Sequence, residues 1–414
     1  MSKRRWLYLV VAAVCLFSLI VVGCAKPAPI TPTQPATPTQ PTTPPTTPSP
    51  EVKPVVLNWA DPSAYGTGRT VMQATWGKLL EEKTKGKFRF EWYWAQSLAK
   101  ALDIYDGVKG GLYPAGINAV FTYHPKTWPI YQLVELPILF GTNGMAHGLV
   151  RYEMYHTVPE LKAEIEGSGI RPLWHSAYEP TCFMSKVPIE KWEDLKGLRI
   201  GTKGPLAEWV KLGGAVPMGI TTYEYYEALQ KGTVDAVTGY PTTFGAFKLT
   251  EVAKYANKSP LQVYCTMGII NPDVYKKLPA EFQQLLDEAW ILYQKWTYEA
   301  QWEMVDSELE RLHKENGLTV LECTPEEYAR WREQAQLVWE KYITGLEAQG
   351  VDARGILNTY ESLYKKYANY TPKQIYERYA ELYKKFYGRD LTYLREEILG
   401  DKKYLEYKEM LGIK

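Results

Sequence analysis

Residues 198–237 read LRIGTKGPLAEWVKLGGAVPMGITTYEYYEALQKGTVDAV, and the punctuation of this stretch sets the architecture. Leu198–Gly201 is a short apolar strand that breaks in Gly-Thr-Lys-Gly, residues 201–204. A helix follows from about Pro205 to Leu212 and stops at Gly213-Gly214. Thr221 and Glu224 have the spacing of a capping box, so Tyr223 to Lys231 is expected to be helical. Gly232 ends it, and Val234–Val237 returns as a strand. Strand–helix–strand units of this size imply an α/β sheet with helices on its faces.

The same grammar extends toward the N-terminus. Val55–Ala60 is a short apolar run closed by the turn-rich segment Asp61–Gly66, and Arg69–Thr84 has helical spacing before Gly86. Phe88–Trp94 alternates as a strand, and a further helix covers about Ala101–Lys109 before Gly110-Gly111. Toward the C-terminus, Pro279–Glu315 reads as one unbroken helix with Phe282, Leu286, Ala289, Tyr293, Trp296 and Ala300 on one face. At 1.5 Å per residue it would span roughly 55 Å, a brace across two domains. A coiled-coil seam would need sustained aliphatic heptads, which this face lacks.

Composition narrows the function. The 414 residues carry 48 Lys+Arg against 47 Asp+Glu, a formal charge of +1. Nucleic-acid affinity rests on a basic surface, so a neutral chain makes such a partner unexpected. At 45% hydrophobic and 23% charged the chain is globular, long enough for two domains plus additions. Five scattered cysteines exclude a disulfide scaffold and a CxxC metal knuckle. HExxH, GxSxG and GxxxxGK[ST] are all absent from the sequence. His175 and Cys182 lie seven residues apart with nothing to orient either as base or nucleophile, and neither glycine pair continues as a dinucleotide loop. No catalytic residue, cofactor or metal is expected.

Lys3-Arg4-Arg5 followed by the uncharged run Trp6–Gly23 reads as a secretory leader. A retained anchor helix would be just long enough to span a bilayer. Val21-Val22-Gly23-Cys24 resembles a bacterial lipobox, which implies cleavage after residue 23 and lipidation of Cys24. Of residues 25–54, eleven are Pro and eight are Thr. Such a tract lacks core-forming material and favours extended polyproline geometry, with a reach of roughly 90 Å. Residues 24–54 are therefore expected to tether a folded body to the outer face of a membrane.

Several segments resemble the DctP-type solute-binding subunits of tripartite ATP-independent periplasmic (TRAP) transporters. They are Glu193–Ile200, Gly214–Met218, Tyr226–Asp235, Leu136–Phe140, Gly350–Ala353 and Lys277–Pro279, in order over about residues 55–366. The resemblance implies two α/β lobes joined by crossing strands, with solute in the cleft between them. Residues 55–178 with 267–303 would form the first lobe, and 179–266 with 304–370 the second. A ligand drives closure only as far as it contacts the closed form better than the open one. The implied partners are a small solute and the TRAP membrane subunits. A sensor or scavenger without a permease and, more remotely, an extracellular hydrolase are the rival readings.

The resemblance also exposes departures. Many members carry an Arg that grips a carboxylate where this chain has Gly201. Arg199, two residues back and about 6.6 Å away along the strand, is either a displaced clamp or a solvated side chain. Tyr240-Pro241 replaces an Asn-Pro pair. Polar fixing groups thus give way to aromatics, with Tyr65, Trp94, Phe121, Trp174, Tyr178, Tyr240 and Phe244 as candidate rings and Arg69, Gln96 and Lys203 as candidate polar contacts. These imply an organic acid with an aromatic or hydrophobic body, or a neutral or amide-bearing relative. Beyond about residue 369, Thr371-Pro372-Lys373-Gln374 opens a helix whose Tyr376, Tyr379, Tyr383 and Phe386 stripe is expected to pack on the body. A dimer or transporter contact is the alternative for residues 371–414.

Overall fold

The computed structural model describes residues 54–118, 121, 123–301 and 305–414; the expected leader, lipidation site and tether fall outside these. The first lobe contains β1 (Val55–Ala60), α1 (Gly68–Lys83), β2 (Phe88–Tyr93), α2 (Ile104–Lys109), β3 (Ala115–Asn118), α3 (Gly144–Thr157), α4 (Pro159–Gly167) and β4 (Arg171–Ala177). The chain then crosses into β5 (Thr181–Ser185), β6 (Arg199–Gly201), α5 (Gly204–Leu212), β7 (Val216–Met218), α6 (Tyr225–Gln230), β8 (Ala236–Gly239), α7 (Pro241–Ala246) and β9 (Tyr255–Gln262). It returns as β10 (Cys265–Ile270), α8 (Pro272–Lys277) and α9 (Ala280–Gln301), followed by α10 (Val305–Asn316) and β11 (Thr319–Leu321).

Two sheets result, ordered β2-β1-β3-β10-β4 and β11-β9-β5-β8-β6-β7. β1 pairs in parallel with β2 and β3, whereas β10 runs antiparallel to β3 and β4. In the second sheet β5 runs antiparallel to β8 and β9, and β6 lies parallel to β7 and β8. Strands β4–β5 and β9–β10 pass directly from one sheet to the other, so two short crossings, 178–180 and 263–264, form the hinge. Cys265 and Thr266 already belong to the first sheet, which moves that boundary two residues ahead of the expected 267.

Aromatic packing supports the first lobe. Trp174 on β4 stacks on Trp59 at 4.9 Å and on Tyr293 of α9 at 4.0 Å. Each such ring withdraws about 150–250 Å² from water. Gly268 on the neighbouring strand makes room for it, since a Cβ there would lie 2.5 Å from the indole.

The expected brace is two described segments. α9 packs on β4 and α1 of the first lobe, while α10 packs on α7 of the second. α11 (Pro325–Glu347) runs behind both lobes: Trp331 contacts Trp209 of α5 at 5.4 Å, and Trp339 Nε1 donates to the Pro137 carbonyl at 2.8 Å. α12 (Ala353–Tyr367) lies against α3 of the first lobe, with His147 Nδ1 2.6 Å from Tyr360 Oη, rather than with the second lobe as 304–370 implied.

The C-terminal segment forms α13 (Pro372–Tyr387), α14 (Arg395–Leu399) and α15 (Tyr404–Met410). Thr371 and Gln374 close a capping box. Tyr379 meets Tyr152 at 5.1 Å and Phe386 stacks on His156 at 4.4 Å, so the aromatic stripe packs on α3. Two fully buried charges on α9 hold the rest. Glu288 accepts from the amides of Thr392, Tyr393 and Leu394 at 2.8–2.9 Å, and Lys295 Nζ donates to the carbonyls of Glu397 and Gly400 at 3.0 and 2.9 Å.

Candidate functional site

Between the two sheets lies a cavity of about 420 Å³, a size typical of small-molecule sites. The first lobe supplies the 62–69 loop, Tyr123 and Thr266, and the second supplies Lys203, Tyr223, Thr238, Tyr240 and the start of α7. Tyr178 and Tyr264, one from each crossing, form its hinge wall. Two side-chain contacts between cavity-lining residues bridge the lobes. Ser63 Oγ lies 2.9 Å from Tyr223 Oη, and Lys203 Nζ donates to Tyr123 Oη at 2.7 Å.

Three cations line this space, in different electrostatic states. Arg69 Nη1 and Nη2 bind Asp61 Oδ2 and Oδ1 at 2.7 and 2.8 Å, and Nη2 also reaches Ser63 Oγ at 2.5 Å. Arg311 is held by Glu308 at 2.8 Å and by Glu315 at 2.6 Å. Lys203 forms no ion pair among the described residues and meets only phenols: its Nζ also lies 4.1 Å from the Tyr123 ring centroid. Burial draws the Lys203 ammonium down, but Tyr123, Tyr225 and Glu135 outweigh it, so the net shift is upward and the group stays charged.

The neutral wall is phenolic and hydroxylic. Tyr178 accepts from Thr266 Oγ1 at 2.7 Å, and its ring lies 5.5 Å from that of Tyr240. Tyr264 stands edge-on to Tyr240 at 6.4 Å. Thr238 Oγ1 donates to Thr202 at 3.0 Å beneath them. This arrangement presents one unneutralised cation, several flat rings and a fringe of hydroxyls to whatever enters.

Arg69, Tyr178, Lys203 and Tyr240, four of the residues singled out in the sequence, line this cavity. The others lie elsewhere, each for a visible reason. Tyr65 is 48% exposed and leans on Trp94, which stacks on Trp92 at 4.9 Å. Gln96 is exposed in a tight turn with φ of 60°. Phe121 stacks on Tyr131 at 3.5 Å inside the first lobe, Trp174 belongs to its core, and Phe244 is buried in the second. Arg199 is exposed and paired with Asp235 at 2.7 Å. Gly201 is buried where an added Cβ would meet Ile220 and Val237 at 3.0 Å, so apolar side chains fill the ground beside it.

Tyr123, Tyr223 and Tyr264 carry as much of the site but stood out by no local pattern. His175 and Cys182 sit in separate cores, the imidazole within 5.0 Å of Trp290. Burial holds the His175 pKa well down and pushes the Cys182 thiol well up, so neither is disposed to proton or nucleophile chemistry.

Two sheeted lobes, a double-stranded hinge and an interlobe cavity define a solute-binding protein of the periplasmic type. Residues 67–345 match the family described as bacterial extracellular solute-binding protein, family 7 (DctP), and the chain belongs to it. Members are extracytoplasmic proteins that capture small solutes for TRAP membrane subunits. The chain is 27% identical over 252 residues to the 2,3-diketo-L-gulonate-binding periplasmic protein YiaO of Escherichia coli, covering 59% of this chain and 74% of that one. It is 24% identical over 306 residues to the C4-dicarboxylate-binding periplasmic protein DctP of Rhodobacter capsulatus, covering 73% and 90%. Among solved structures, a marine-metagenome TRAP solute-binding protein specific for aromatic acids, in complex with 3-hydroxybenzoate, superposes with a TM-score of 0.70 at 20% identity over 76% of this chain and 99% of that one. A TRAP solute-binding protein from Desulfovibrio salexigens gives 0.66 at 24% identity, over 77% and 98%.

Proposed function

We propose that the interlobe cavity captures a small organic acid with an aromatic or otherwise flat apolar body, for delivery to a TRAP-type transporter. The observation that carries this reading is Lys203: of the three cations lining the cavity, only it lacks a carboxylate partner among the described residues. A solute carboxylate accepts from Lys203 Nζ, and the solute body rests against Tyr178, Tyr240 and Tyr264. The aromatic acids of the marine-metagenome neighbour are of this kind, and the C4-dicarboxylates of the Rhodobacter capsulatus relative share the carboxylate alone. Closure requires only contacts made from both sides and leaves the solute's bonds untouched. Neither catalysis nor a nucleic-acid partner enters this reading.

Mass spectrometry of ligand released from the purified protein, followed by calorimetry with hydroxybenzoates, mandelate and succinate against their amides, tests it. Lys203→Met should weaken binding of the acids at least tenfold while sparing the amides. Equal affinity for acid and amide in the unmutated protein would remove the carboxylate from the reading. We further propose that residues 24–54 tether the body through a lipid on Cys24. Cys24→Ser should move the protein from the membrane fraction to the soluble one, and an unchanged distribution would overturn the anchor.

A further inference from the structure

A carboxyl group stands behind the cleft wall at the second crossing. Tyr131–Glu135 is a short 3₁₀ helix of the first lobe, and its last residue holds the crossing at both ends. The Glu135 carbonyl accepts from Gln262 Nε2 at the end of β9, and Glu135 Oε1 accepts from the Cys265 amide at 2.8 Å, at the start of β10. Tyr264 and Cys265 line the solute cleft. Glu135 is 1% exposed and lines no part of it, so it acts on a solute only through other groups.

The second oxygen, Oε2, is buried with no hydrogen-bond partner. An anionic oxygen without a donor is costly in a dry interior, and a proton on Oε2 removes that cost. Burial accordingly pushes Glu135 up to about 7, against the pull of Arg151, the Cys265 amide and Lys203. Those two cations are the charged groups that act on the carboxyl, Arg151 from α3 and Lys203 from the residue ahead of α5. Arg151 lies outside the cleft, and its Nη2 is committed to the carbonyls of Val134 and Val263 at 2.8 and 2.7 Å. The titratable neighbours Tyr131, Tyr240, Tyr264 and Cys265 all keep their protons, because burial raises the pKa of each. α11 and α12 pack on the same short helix and bring no charge to Glu135; Tyr360 of α12 acts on Arg151 and is itself neutral. Lys203 alone, therefore, touches both sides of the wall: it feels Glu135 from behind and lines the cleft in front.

We propose that Glu135 tunes acid capture from behind the cleft wall, competing with the solute carboxylate for Lys203 and taking up a proton as the acid binds; this rests on the Lys203 anchor proposed above. A carboxylate seated on Lys203 draws off the field that favoured ionised Glu135 and adds a like charge nearby. Both effects drive the proton onto Glu135. Acid affinity is then greatest where Glu135 is already protonated and falls as pH rises through neutrality, whereas a neutral amide feels no such change. Glu179, the other buried carboxyl of the hinge, has no such link: Lys203 does not act on it, and its Oε1 accepts from the Thr242 hydroxyl.

The experiment is calorimetry at pH 7 in phosphate and in Tris, whose different ionisation enthalpies count the protons exchanged on binding. The probe is whichever of 3-hydroxybenzoate, mandelate and succinate binds most tightly, with its amide as control. Net proton uptake is expected with the acid and none with the amide, and the acid should bind roughly threefold or more weakly at pH 8 than at pH 6. Glu135→Gln keeps an acceptor for the Cys265 amide; it should abolish the uptake and flatten the pH profile, while Glu179→Gln leaves both in place. The count in the unmutated protein and in Glu179→Gln decides the matter even where Glu135→Gln fails to fold. Acid preferred over amide without proton uptake would overturn the role of Glu135 alone, as would uptake that survives Glu135→Gln or disappears in Glu179→Gln. Acid bound no better than amide at any pH would instead remove the Lys203 anchor, and this coupling with it.

Discussion

The Tyr223 hydroxyl lies 2.9 Å from Ser63 Oγ, and the two residues, 160 positions apart, sit on opposite lobes. Both residues line the cleft, where Ser63 Oγ also accepts from Arg69 and the Ser63 amide N–H donates to Asp61 Oδ1 at 2.8 Å. It is a latch that exists only when the lobes meet. Tyr223→Phe keeps the ring and deletes the latch. Solute affinity should drop by about 1 kcal/mol, roughly fivefold, with the fold unaffected. Calorimetry measures the loss, and small-angle scattering of the solute-free protein should show a larger radius of gyration in the variant. Unchanged affinity would mean that the hydroxyl pair is incidental to closure.

Asp61 decides what Arg69 can do. Both carboxylate oxygens are engaged with the guanidinium, and Asp61 is 1% exposed. Burial works against the Arg69 charge, and Asp61 more than offsets it. Removing the partner leaves a buried charge uncompensated, which typically costs about 3–5 kcal/mol. Asp61→Ala should lower the thermal midpoint by several degrees, whereas Arg69→Met/Asp61→Leu should recover most of the loss. If Asp61→Ala were instead neutral in stability and tightened acid binding, Arg69 would share the anchoring role assigned to Lys203.

How much of this was legible in the chain depended on whether the signal was local. The strand at 199–201, the helix closed by Gly213 and the capping boxes at Thr221 and Thr371 are written in neighbouring residues, and they form as read. Lys203 and Tyr240 stand just beyond strand ends, where an α/β sheet presents ligand-facing groups, and both line the cleft. Trp174 shares that strand-end logic but lies four residues before Tyr178, still between its sheet and α9, and so becomes core. Tyr123, Tyr223 and Tyr264 come from three separated segments, and only the meeting of two lobes brings them together. Nor does any local pattern reveal that Asp235 occupies Arg199, since that pairing depends on two strands lying side by side. The same holds for α12, whose Tyr360 and Tyr364 choose α3 through contacts more than 200 residues apart.

Glu179, on the first crossing, should report hinge electrostatics through pH. Burial pushes its carboxyl up to about 7 from 4.5, against the Thr242 hydroxyl that donates to Oε1. The folded protein therefore keeps a proton that the unfolded chain has lost, and stability falls as pH rises between those values. Glu179→Gln retains the acceptor and removes the titration. Relative to the parent, its thermal midpoint should match near pH 4, climb through pH 4.5–7 and level off above, with a plateau gain on the order of 3 kcal/mol at most. A constant offset across that range would show that Glu179 titrates normally.

The C-terminal extension is gripped at both ends of α14 by the α9 pair, an acid on three amides and an amine on the carbonyls that follow. Glu288 and Lys295 lie two helical turns apart, about 10 Å along the axis, which sets the spacing of the backbone groups they hold. Glu288→Ala strands three buried or half-buried amides at Thr392, Tyr393 and Leu394. The loss should be about 2–3 kcal/mol and should be confined to the extension. Hydrogen exchange should accelerate from about residue 390 to the C-terminus while the cleft residues and solute affinity stay as they are. Faster exchange in α9 and β4 as well would show that the extension supports the first lobe instead of merely resting on it, because α15 packs on both α9 and α1.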